Sequence, residues 1–123
     1  MRQFETGAIR DTDKGKLDYE GFNDPLVDRV FAEYMHKHRI QTNGELRTSD
    51  NWQRGIPKDE YIKSAQRHNV DWRLHHRGYS KEAKESLIDA LCALRFNVCG
   101  YLREVLREGQ SQIEHAELQE QPK

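Results

Sequence analysis

The residues able to do chemistry fall into two stretches. In the first, Ser64, His68, Asp71 and His75 lie within about 60° of one another on a helical wheel. An aspartate and a histidine four apart can ligate a metal or simply pair. His68 borders Tyr61 and Trp72, a setting in which a histidine is commonly a hydrogen-bonded core residue. No HEXXH zinc motif is present, and His36-x-His38 does not share a helix face. The second stretch carries Glu85 and Asp89. On one helix these carboxylates lie a turn apart and repel unless something positive separates them. A divalent cation answers that need, and so does an arginine or lysine. A solvated acidic patch at a helix start, where the helix dipole favours acids, is the competing reading.

The N-terminal stretch holds Arg10, Lys14 and Lys16, with Gly7 and Gly15 allowing close backbone approach. Backbone amides with arginine and lysine suit phosphate. Asp11, Asp13 and Asp18 alternate with these bases, so a solvated charged loop stays open as an alternative. There is no Walker loop, GxGxxG or serine elbow. Cys92 and Cys99 sit seven apart, about 10 Å on a helix, too far for a disulfide. They read as free thiols of a reducing cytoplasm.

These residues must be positioned by a short chain. It has 123 residues, one domain's worth. Hydrophobic residues make up 35% and charged residues 33%, the latter above the usual share of about 25%. The core is therefore thin, and oligomerisation could supply the missing burial. A net charge of −1 argues against generic binding to extended nucleic acid. No 18-residue apolar run suggests a membrane span, and residues 1–16 lack the apolar core of a signal peptide.

Periodicity predicts an all-α fold: a small bundle of three main helices with an ordered N-terminal arm over residues 1–23. Asp24-Pro25 starts the first helix, which ends near Arg39. Residues 40–56 form a long connection with a turn at Asn43-Gly44, and loops of such length are often functional. Pro57 starts the second helix and Gly78 stops it. Ser80 caps the third, which runs to about Glu108. Leu87, Leu91, Leu94, Val98, Tyr101, Leu102 and Val105 form a near-heptad stripe on it, expected to be core. Glu85, Asp89, Cys92, Phe96 and Cys99 face the other way, as if against a second packing surface. The domain spans 1–109, and 110–123 reads as a polar, disordered tail.

Four ordered pieces resemble a phage and bacterial family, the dATP/dGTP diphosphohydrolase N-terminal domain. They are Glu5-Thr6-Gly7-Ala8 with Arg10-Asp11, Gly15-Lys16 and Asp18-Tyr19; Asn51-Trp52 with Gly55; Ser64, Arg67-His68 and Trp72 with Gly78; and Asp89, Leu91, Ala93 and Phe96-Asn97. They span residues 5–97. The resemblance implies a MazG-like helical domain; with the thin core and the two-sided third helix, a homodimer or tetramer formed through that helix is expected, in the cytoplasm. The implied activity is hydrolysis of a purine deoxynucleoside triphosphate to monophosphate and pyrophosphate. It implies Mg²⁺ (or Mn²⁺) on Asp89 and Glu85, with His68 and Asn97 orienting the ligand. Arg10, Lys14, Lys16 and Arg67 would neutralise phosphate, and Trp52 would stack on the base. The EExxE and ExxD motifs of MazG-type enzymes are missing. A non-catalytic phage protein that sequesters a nucleotide or regulates a partner is therefore the alternative, and a small helical interaction protein is a third reading.

Overall fold

The structure is a computed structural model and describes residues 2–120. It is mostly helical. The arm opens with a short antiparallel hairpin, β1 (Arg2–Gln3) on β2 (Ile9–Arg10). Gly7, at φ +88°, makes its turn. Asp18 then caps a single helical turn, α1 (Tyr19–Phe22), by accepting from the Gly21 amide at 2.9 Å.

Helix α2 (Pro25–Lys37) begins as its residues dictate. The Asp24 carboxylate accepts from the amides of Leu26 and Val27, and Pro25 stands where no amide is needed. After α2 the chain folds back at Asn43-Gly44, bridging Ile40 to Leu46. A 3₁₀ turn over Asn51–Arg54 leads to α3 (Lys58–His76).

The third long helix departs from expectation at both ends. Ser80 caps no side-chain bond and belongs to a 3₁₀ turn, Ser80–Glu82. Helix α4 (Leu87–Glu120) starts later, with the Ser86 hydroxyl accepting from the Asp89 amide at 3.1 Å. Glu85 therefore precedes the helix, and the one-turn spacing expected of Glu85 and Asp89 does not arise. Both serines are competent caps, but His75 claims Ser80: its Nδ1 lies 2.9 Å from the Ser80 hydroxyl. At the other end α4 runs on as helix from Gln110 to Glu120, through most of the segment expected as a tail. Residues 121–123 of that segment lie outside the described residues.

Helices α3 and α4 form an antiparallel pair. Lys58 bonds Glu108 at one end, and His75 Nε2 donates to the Glu85 carbonyl at the other, at 2.9 and 2.7 Å. Between them Tyr61 and Ala65 of α3 meet Ala90, Ala93, Asn97 and Gly100 of α4, all buried. Small residues let the helices approach closely, and Gly100 lies directly against the Tyr61 ring. Helix α2 crosses the start of α4 through Lys37 to Asp89 and Asp28 to Arg95.

The leucine stripe is corrected by this arrangement. Its core assignment counted apolar bulk, whereas the contact within the chain uses the small-residue side. Leu91, Val98, Leu102 and Val105 all remain exposed in the single chain.

Gly100→Ala tests the close approach. Alanine alone would favour the helix by about 1 kcal/mol. Its Cβ would run into the Tyr61 ring, so the expected net result is a loss of about 1–3 kcal/mol in urea unfolding.

Candidate functional site

A cavity of about 550 Å³ opens between the end of α2, the connection after it, α3 and α4. Its floor is aromatic. Phe96 of α4 meets Trp52 edge-on at 6.0 Å between centroids and Tyr61 at 5.8 Å. Arg103 lies over the Trp52 ring at 5.8 Å, and Arg107 holds the turn below it by donating to the Gln53 carbonyl at 2.7 Å. The 3₁₀ turn carrying Trp52 is thus fastened to α4 from two sides.

The rim is cationic. Arg39, Arg47 and Arg67 line the cavity with one carboxylate, Glu60. Arg39 is fixed by the hairpin it closes, donating from Nε to the Arg47 carbonyl at 2.8 Å. His36, His38 and His68 line the wall as well. Three guanidinium groups against one carboxylate favour an anion, and the aromatic floor favours a planar, apolar group beside it.

Four expected site residues meet here: Trp52, Arg67, His68 and Asn97. Asn97 is buried and spends one amide proton on the Ala93 carbonyl at 2.8 Å. His68 Nδ1 is engaged by the Glu85 carboxylate. That contact fixes the imidazole and leaves Nε2 as its remaining ring nitrogen.

Arg10, Lys14 and Lys16 are not brought to this cavity. All three are exposed on the arm, whose side-chain bonds up to Lys16 stay within it, as in Arg2 to the Asp11 carbonyl at 3.1 Å. Their exposure places them apart from the cavity, on a loop whose bases alternate with Asp11, Asp13 and Asp18.

Glu85 and Asp89, expected to hold Mg²⁺, have other partners. Lys37 Nζ lies 2.9 and 3.0 Å from the two Asp89 oxygens, and Glu85 is engaged by His68. Among the described residues no group of three or more His, Cys, Asp or Glu side chains could hold a metal ion. Asp89 has Lys37 as its positive partner and Glu85 is held by the His68 ring, and the pair does not fit a Mg²⁺ site, which requires several oxygen ligands on one ion. Asp71 and His75 are likewise structural. Asp71 is buried and accepts from the Lys84 amide at 3.2 Å. His75 ties the end of α3 to the start of α4. Both cysteines are free thiols, and burial pushes the Cys92 thiol up.

Arg39, Arg47, His36 and His38 were absent from the expected set. The available signal was the long connection itself: two arginines flank its Asn43-Gly44 turn. Helical periodicity cannot show that this turn folds back over α3.

Comparison with protein-family models, curated proteins and solved structures finds no match. No helix among the described residues is long and apolar enough to cross a membrane.

Tyr34, between α2 and the start of α4, records the electrostatics of this region. Burial first, and then the charges of Glu85 and Asp89, push its phenol from 10.0 up to about 12. The folded chain therefore keeps this proton after the unfolded chain has lost it. Its stabilising contribution is complete below pH 10 and declines as pH rises from about 10 to 12. Chemical unfolding across that range should lose about 1–2 kcal/mol through this group. In Tyr34→Phe that part of the decline should vanish.

Proposed function

We propose that the cavity binds a purine deoxynucleotide, with its phosphates on Arg39, Arg47 and Arg67 and its base near Trp52 and Phe96. The observation that carries this reading is the convergence of three arginines and two aromatic rings on one cavity of about 550 Å³. That volume lies within the range of small-molecule sites. Arginine is the side chain best matched to phosphate oxygens, because its planar fork donates two parallel hydrogen bonds. The family resemblance supplies the purine and the deoxyribose. In this reading the chain is a MazG-like domain working as a homodimer or tetramer in the cytoplasm. It retains or presents the nucleotide rather than cleaving it through a carboxylate-bound metal.

A second reading is hydrolysis of dATP or dGTP to monophosphate and pyrophosphate. One observation favours it: the Glu85 carboxylate engages His68 at the cavity wall. An imidazole so oriented can take a proton from water at Nε2 as the water oxygen attacks the α-phosphorus and pyrophosphate leaves. Chromatography of each dNTP incubated with the protein separates the readings. Monophosphate and pyrophosphate, lost in His68→Asn, would favour hydrolysis; unchanged triphosphate favours binding alone.

Calorimetric titration with dATP and dGTP in EDTA tests the binding reading. Binding is expected without metal, and Arg47→Ala and Arg67→Ala should each weaken it about tenfold or more, the scale of a lost charged hydrogen bond. Equal affinity in wild type and both variants would remove the phosphate role of these arginines.

A further inference from the structure

We infer that the cavity selects guanine through Glu60, whose carboxylate accepts the two adjacent N–H groups on the pairing edge of that base. The inference rests on the nucleotide reading of the cavity. It adds which purine the site prefers and which side chain chooses it.

Position makes the first argument. Glu60, Ser64 and Arg67 all line the cavity from α3. Their spacings of four and three place them within about 60° of one another on the helix. Glu60 stands in the first turn of α3, its amide bonded to the Pro57 carbonyl at 3.0 Å. Arg67 follows seven residues later, about 10 Å along the axis. That separation suits the span from the pairing edge of a purine to its 5′-phosphate, and it leaves Ser64 level with the sugar. The neighbouring elements sort the same way. Trp52 belongs to the turn that leads into α3, at the end where Lys58 meets Glu108 and Arg107 holds Gln53. Arg39 follows the end of α2, which Lys37 ties to Asp89 at the opposite end of the helix pair. The base end of the cavity is therefore the Glu60 end, and the phosphate end is the Arg39 and Arg67 end.

Charge makes the second argument. Glu60 is the one carboxylate among the residues lining the cavity, and three arginines line it too. None of them pairs with it, and among the described residues its carboxylate enters no hydrogen bond or ion pair. Asp28, Glu85, Asp89, Glu104 and Glu108, by contrast, each engage a side chain of the protein. The cavity thus keeps an acceptor at one end apart from its donors at the other.

The chemistry of the bases makes the third. An ionised carboxylate only accepts, and its two oxygens suit two parallel donors. Guanine offers that pair on its pairing edge, at N1 and the 2-amino group. Adenine sets the N1 lone pair beside its 6-amino group, so one carboxylate oxygen would face a lone pair. Thymine has a single N–H between two carbonyls. A site built around such an acceptor rejects the wrong base because the pairing is lost and a polar group is left without a partner.

Calorimetric titration of the full chain in EDTA with dGTP, dITP and dATP tests the inference, in wild type and in Glu60→Gln. Inosine keeps the N1 proton of guanine and lacks its 2-amino group. Wild type should bind dGTP about tenfold or more tighter than dITP, the scale of a lost charged hydrogen bond, and dATP more weakly still. Glutamine offers an N–H to adenine N1 and an oxygen to its 6-amino group. Glu60→Gln should therefore weaken dGTP about tenfold and strengthen dATP several-fold. A merely structural role would weaken all three alike, and that result would overturn the inference. Equal wild-type affinity for dGTP and dATP would overturn it too, while leaving the cavity as a nucleotide site. Binding of no nucleotide would overturn the nucleotide reading and this inference with it. If Glu60→Gln does not fold, the order of the three nucleotides in wild type decides.

Discussion

The rest of the structure depends on the close approach of α3 and α4. Ala90, Ala93 and Gly100 give α4 a shallow face, and Tyr61 fills it from α3. That contact sets the position of everything else. It places Phe96 and Asn97 at the floor of the cavity and His68 and Arg67 on its wall. It also brings the end of α3 to the connector before α4, where Glu85 meets His68. Close packing here comes from small side chains rather than large ones. It therefore fixes geometry firmly while burying little apolar area. The same choice leaves the bulk of α4's apolar side chains facing outward.

Two consequences follow from that one contact. Inward, the cavity is shaped by polar and aromatic groups held at defined places: Trp52 between Phe96 and Arg103, Arg39 on the carbonyl of Arg47, and the His68 ring on Glu85. None of these contacts involves the arm. Outward, Leu87, Leu91, Val98 and Val105 of the apolar stripe stay exposed.

Much of the local structure was legible in the residues. Asp24-Pro25 can do little but start a helix, and Asn43-Gly44 little but turn, because capping and left-handed backbone are local physics. The start of α4 was less legible, since Ser80 and Ser86 are equally good caps and only the bond from His75 to Ser80 separates them. The inner side of α4 was not legible from bulk. The leucine stripe carries the stronger hydrophobic signal, but the intrachain contact is decided by which face lets two backbones come together. Of the candidate site, Trp52, Arg67, His68 and Asn97 share one cavity. Arg10, Lys14 and Lys16 stand apart on the arm, because nothing in a charged loop states where it folds. Glu85 and Asp89 were read as a pair. The late start of α4 and the arrival of Lys37 and His68, from distant parts of the chain, gave each its own partner.

The central claim is that the nucleotide site is the cavity and not the arm. The most direct test is an amide chemical-shift titration of the labelled full chain with dATP in EDTA. The account predicts saturable shifts at Arg47, Asn51, Trp52, Arg67, His68 and Asn97, with residues 5–16 unmoved. Shifts confined to the arm around Arg10, Lys14 and Lys16, with the cavity silent, would contradict it.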